Sequence, residues 1–209
     1  MKVSVLAGVA LAAGLAASMG AHAADLYNDL GGVSAGEDPV HGFGPLADSF
    51  STGASAVKLT DISVLVSGGN ASSSAAWTLS VLADDGTQPG AALASYILSD
   101  SVLSSVGSVV TVATSLTLSA DTRYWVELSE NDPSTVEWLW TRDVSGVGVA
   151  NEFLSNTGGV FDNADGAPYQ MEVSAGAVPE PAAWAMMLVG FGGLGAAVRR
   201  RRGRGAVAA

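Results

Sequence analysis

Thr122-Arg123-Tyr124-Trp125-Val126-Glu127-Leu128-Ser129 alternates residue by residue. Tyr124, Val126 and Leu128 fall on one side, and Arg123, Trp125 and Glu127 on the other. A period of two marks a half-buried strand, and aromatic and β-branched residues suit a pleated surface. The pattern recurs outward in both directions. Towards the C-terminus, 135–142 puts Val136, Trp138 and Trp140 on one face, and 168–174 does the same with Tyr169, Met171 and Val173. Towards the N-terminus come 109–118, 92–98, the Trp77, Leu79, Val81 alternation, and Val57–Val66. Asp84-Asp85-Gly86 and Gln88-Pro89-Gly90 read as turns between strands. No interior stretch sustains a helical period, and there is no internal repeat or βαβ alternation. The sequence therefore predicts an all-β protein, an antiparallel β-sandwich or jelly-roll-like single domain. Its core is expected over 57–177. Residues 24–56, with Gly31-Gly32, Pro39, Gly42, Gly44 and Pro45, read as an irregular lead-in and the start of the β domain.

Composition narrows the function classes. The 209 residues include no cysteine, which excludes disulfides, thiolate zinc sites, iron–sulfur clusters and a cysteine nucleophile. Only 14% of residues are charged and the formal net charge is −11. The charge is unevenly placed: 24–178 holds nineteen acids against Lys58, Arg123 and Arg142, while five arginines crowd the last eleven positions. So acidic a body is no partner for nucleic acid. A basic end on an acidic chain points instead to membrane topology.

Both ends carry such signals. Met1-Lys2, the apolar run from Val3 and the A-x-A site at Ala21-His22-Ala23 make residues 1–23 a secretory signal peptide, cleaved before Ala24. At the other end, Ala182–Val198 is uncharged, just long enough to span a bilayer, and is followed by Arg199, Arg200, Arg201 and Arg202. The positive-inside rule leaves those arginines and residues 203–209 in the cytoplasm, with the body outside. Trp184 stands where an indole prefers the headgroups, Gly190 and Gly192 permit close helix approach, and Pro179 and Pro181 keep Glu180 extended.

Chemistry is harder to find in the middle. His41, alone after signal cleavage, has no base–nucleophile partner identifiable in sequence. Asp162 and Asp165, in Asp162-Asn163-Ala164-Asp165-Gly166, are the best metal candidates, with oxygen ligands suited to calcium. Their spacing departs from the EF-hand register, and Asx-Gly clusters also build plain turns. No other cofactor is indicated. Among Trp77, Trp125, Trp138, Trp140 and Tyr124, Trp125 shares its face with Arg123 and Glu127 and is the candidate for an exposed sugar-stacking ring. The remainder read as core.

The tail of residues 178–202 resembles the PEP-CTERM protein-sorting signal. The resemblance rests on Pro179-Glu180-Pro181, Trp184-Ala185-Met186-Met187, Gly190-Phe191-Gly192 and Arg199–Arg202. It implies export by a Gram-negative bacterium that makes exopolysaccharide, an inner-membrane intermediate, and processing near Pro179-Glu180-Pro181 by exosortase, a membrane protease/transpeptidase. It further implies delivery to the cell surface or extracellular matrix. Ala47–Ser51, Thr122–Val126 and Pro168–Met171 also resemble stretches of the extracellular domains called choice-of-anchor domains. That resemblance implies a β-rich surface module and supplies no catalytic residues. The expectation is an exported, non-enzymatic surface or matrix protein. The alternative is a carbohydrate-binding module for exopolysaccharide, and a third reading is an extracellular hydrolase. Its partners would be the export machinery, exosortase and, in the alternative, exopolysaccharide.

Overall fold

The computed structural model of the protein describes residues 24–68, 75–130, 135–177 and 191. Its strands are β1 (Ala24–Asn28), β2 (Ser34–Pro39), β3 (Leu46–Ser51), β4 (Val57–Ser67), β5 (Ala76–Asp84), β6 (Pro89–Ser99) and β7 (Ser108–Ala113). The chain continues through β8 (Thr117–Leu118), β9 (Arg123–Glu130), β10 (Glu137–Thr141), β11 (Phe153–Asn156), β12 (Gly159–Asp162) and β13 (Met171–Ala177). A single helical turn, α1 (Val40–Phe43), joins β2 to β3. One sheet follows the order β1-β13-β4-β10-β2, with β7 and β8 also pairing with β4, and the other follows β12-β11-β3-β9-β5-β6. Every strand pairing is antiparallel.

The two sheets enclose one apolar core. Ile62, Val64, Val66, Trp138, Met171 and Val173 from the first meet Phe50, Trp77, Leu79, Val126 and Leu128 from the second. The alternation in 122–129 is realised in this packing: Tyr124, Val126 and Leu128 point into the core, and Trp125 points out. Asp84-Asp85-Gly86 is the expected hairpin turn between β5 and β6. Gly86 adopts φ 63° and Thr87 φ 77°, the left-handed region that a glycine enters without steric cost.

Three boundaries differ from the sequence reading. Residues 24–56 are not an irregular lead-in, because they supply β1, β2 and β3, and Tyr27, Leu46 and Phe50 are fully buried. Proline and glycine there stand between short strands. Pro39 ends β2, and Gly44-Pro45 separates α1 from β3. The single strand expected over 109–118 is two, β7 and β8. Asp61 pairs with Ser174 but Leu59 with Ala175, so Thr60 is an extra residue in β4. The resulting bulge keeps both Leu59 and Ile62 facing inward. β7 pairs with β4 on one side of the bulge and β8 on the other, and Thr114 and Leu116 bond across the gap to Thr60 and Leu59. Finally, the stretch 153–162, which shows no strand period in the sequence, forms the hairpin β11–β12.

Among the described residues no helix is long and apolar enough to cross a membrane. The expectations for residues 1–23 and 178–209 lie outside the described residues, Phe191 apart.

Candidate functional site

Trp125 is not an exposed sugar platform. It does lie on the outer face, as its alternation requires, but it is 0% exposed. Ala47 and Leu82 pack against it from neighbouring strands, Phe153 and Val160 of the β11–β12 hairpin pack against this cluster, and its Nε1–H donates to Asp84 Oδ1 at 2.7 Å. A second small core therefore forms on the outside of the sheet. Sequence periodicity assigns a face and cannot show that another hairpin covers it.

Aromatic and polar groups instead converge between the two sheets, where β2 ends one strand order and β12 the other. A cleft of about 230 Å³ is lined there by Asp38, Trp140, Leu154, Asn156, Phe161 and Tyr169. Trp140 stands opposite Gly36 in the β10–β2 ladder, and a Cβ at Gly36 would collide with the indole. The glycine thus makes room for the ring. Trp138, two residues back, stacks on Tyr169 with ring centroids 4.8 Å apart, which fixes the tyrosine. Tyr169 Oη donates to Asp38 Oδ2 at 2.8 Å and receives Asn156 Nδ2–H at 3.4 Å. Burial raises the Tyr169 phenol well above its ordinary range, so it remains a donor. Phe161 is 43% exposed at the rim, and the Arg142 guanidinium lies 5.8 Å from the Trp140 ring centroid. The cleft offers apolar ring surface beside one carboxylate and one amide. A wider depression of about 580 Å³ near Pro45, Gln88, Glu127 and Ser155 has no aromatic lining.

Behind the cleft lies a buried acidic network that the sequence reading missed. Asp48 is fully buried; its Oδ1 accepts from Asn163 Nδ2 at 3.1 Å, and its Oδ2 from the Tyr169 backbone N–H at 2.9 Å. Asp29 Oδ1 accepts from the Met171 N–H at 2.7 Å, and the Tyr27 hydroxyl stands 3.5 Å from both acids. Burial pushes the Asp29 carboxyl up to about 8, and raises Asp48 and Tyr27 strongly. Glu152, also buried, is held by the Ser49 hydroxyl and by Arg123 Nε at 3.1 Å. The three stretches 47–51, 122–126 and 168–171 meet in this network, although they are remote in sequence. An alternating pattern carries no sign of it, because Asp29 and Asp48 look like surface residues. Nearer the surface, Glu37 and Glu137 share the Ser67 hydroxyl, at 2.7 and 3.3 Å. Burial, then the neighbouring Glu37, raises Glu137.

Asp162 and Asp165 form a turn that leads from the cleft. Asp162 Oδ1 accepts from the Ala164 N–H at 2.8 Å, and its carbonyl receives the Asp165 and Gly166 N–H groups. Asn163 between them points inward to Asp48. Among the described residues no group of three His, Cys, Asp or Glu side chains is placed to hold a metal ion. His41 is exposed on α1.

β13 leads directly to the remaining candidate. It ends at Ala177, two positions before Pro179, and Ala24 pairs with Ala175, so both ends of the body emerge side by side. The sorting residues Pro179, Glu180 and Pro181, Trp184, Gly190, Gly192 and Arg199–Arg202, like Ala21 and Ala23, lie outside the described residues. Residues 177–202 match the family described as the PEP-CTERM protein-sorting motif. No curated protein matches the chain. The motif supports an exosortase-targeted, exported protein, processed at the membrane and destined for the surface.

Proposed function

We propose that the chain is a non-enzymatic surface or extracellular-matrix protein, a β-sandwich delivered through its PEP-CTERM segment. The observation that carries this reading is the match at 177–202, which starts on the last residue of β13. In this reading the signal peptide takes the body across the inner membrane, and Ala182–Val198 then halts in the bilayer with Arg199–Arg202 on the cytoplasmic side. An arginine at the centre of a spanning helix costs about 2.5–3.5 kcal/mol on insertion scales, enough to favour a stop. Pro179-Glu180-Pro181 is left extended just outside the bilayer, within reach of a membrane-embedded protease.

The arrangement of acids favours a body without catalysis. Asp48 is fully buried, and the Asp29 carboxylate is committed to the Met171 N–H. Glu37 and Glu137 are tied together by the Ser67 hydroxyl, and neither lines the cleft. The cleft is lined by Asp38 as its single carboxylate. The test is cellular. Replacing Pro179-Glu180-Pro181 with alanines should leave membrane insertion intact and make the uncleaved form accumulate, and ending the chain at Ala177 should release the body. Normal processing of the alanine variant would reduce the tail to a plain anchor.

A further inference from the structure

We propose that the cleft between β2 and β12 is a binding site for one uncharged pyranose ring, such as a single residue of a neutral polysaccharide. The proposal names a ligand class for the body and does not depend on how the chain is sorted.

Three observations carry it. The first is the lining. Trp140 and Phe161 offer ring surface to the C–H face of a sugar, the buried Tyr169 closes the back of the cleft, and Asp38 and Asn156 offer an acceptor and a donor to the sugar hydroxyls. Apolar walls with a few placed polar groups are the usual make-up of a small-molecule site.

The second is preorganisation. Tyr169 is clamped between Trp138 and the Asp38–Asn156 pair, and Asn156 Oδ1 accepts from the Gly158 N–H at 2.8 Å. The Asn156 amide is therefore oriented with its NH₂ towards the cleft before a ligand arrives. Groups already fixed lose less freedom on binding.

The third is size and charge. About 230 Å³ is below the roughly 300–1,000 Å³ of sites for drug-sized ligands, which fits a single ring. Asp38 in the wall, on a body with nineteen acids against three bases, disfavours a uronic acid. Arg142 rests against the Trp140 ring instead of extending into the cleft as a free cation.

The full chain, purified in a detergent without a sugar headgroup, would be screened on an array of neutral, amino and uronic-acid glycans. Hits would then be titrated by calorimetry. The expected result is binding of neutral glycans with dissociation constants on the order of 1 mM per ring. Phe161→Ala and Asp38→Asn should each weaken it at least tenfold, with thermal melts still cooperative. Asp143→Asn, in the separate cavity beside Asn28 and Gly146, should leave binding unchanged. Trp140→Ala should abolish binding; should that variant not fold, Phe161→Ala decides. No neutral hit on the array, stronger binding of uronic acids, or unchanged affinity in Phe161→Ala would each overturn the proposal.

Discussion

The stability of the body should fall as the pH rises from 4 to 8, and Asp29 should be a main cause. The residue is 4% exposed, and burial moves its carboxyl from 3.8 to about 8. Between these values the folded chain holds a proton that the unfolded chain has released. Stability therefore declines with pH across this window; it is complete below about 4 and lost as the pH passes 8. Roughly four pH units at about 1.4 kcal/mol each set a ceiling of roughly 6 kcal/mol. Relaxation and water penetration around the ionised carboxylate keep the observed loss below that ceiling. Asp48, also raised by burial, adds to the decline. Asp29→Asn keeps an acceptor for the Met171 N–H and removes the titration. Urea unfolding followed by tryptophan fluorescence from pH 4 to 9 should give a clear downward slope for the wild type and a shallower one for the variant. The reasoning fails if wild-type stability rises over this range, or if Asp29→Asn has the wild-type slope.

Trp125→Ala should cost about 3–5 kcal/mol in the same unfolding assay, as for a large buried aromatic, and should leave glycan affinity unchanged. Arg123→Ala leaves buried Glu152 without its ion-pair partner and should cost about 3 kcal/mol; Arg123→Met with Glu152→Leu should recover part of that loss. Asp162→Ala should lower the melting temperature equally in calcium and in chelator, because Asp162 acts as a turn former through its bond to the Ala164 N–H. A calcium-dependent gain in the wild type that disappears in the variant would make the loop a metal site after all.

The strands that the sequence disclosed are those whose two faces differ. Tyr124, Val126 and Leu128 oppose the core, and the same holds for Trp138 and for Met171 with Val173. β2 (SAGEDP) buries no residue fully and looks like loop; its place in the sheet comes from its ladder with β10 and from side-chain bonds to Ser67 and Tyr169. The β11–β12 hairpin is four residues a side, too short for a period to show. Asn156-Thr157-Gly158-Gly159 at its tip was the available signal, since asparagine and glycine suit a tight hairpin turn. The cleft was illegible for another reason. Its residues come from β2, β10, β11, β12 and the approach to β13, and only the closure of the sandwich brings them together. Trp125 and Trp140 exchanged roles because exposure depends on neighbouring elements, whereas alternation reports only direction.

The strand that leads into the sorting motif also determines how the body would bear a pull. β13 lies between β1 and β4 and pairs with four residues of the first and seven of the second. Tension on the chain beyond Ala177 runs along this strand, and ladder hydrogen bonds lie across it. The bonds on both flanks then resist together in shear, where an edge strand loaded sideways would peel away one bond at a time. The bulge at Thr60 adds a step in the β4 ladder that must be dragged past its partner. A body held through this end and pulled would therefore carry the load across two ladders at once, so the strand that bears the tether is also the one best placed to keep the sandwich closed.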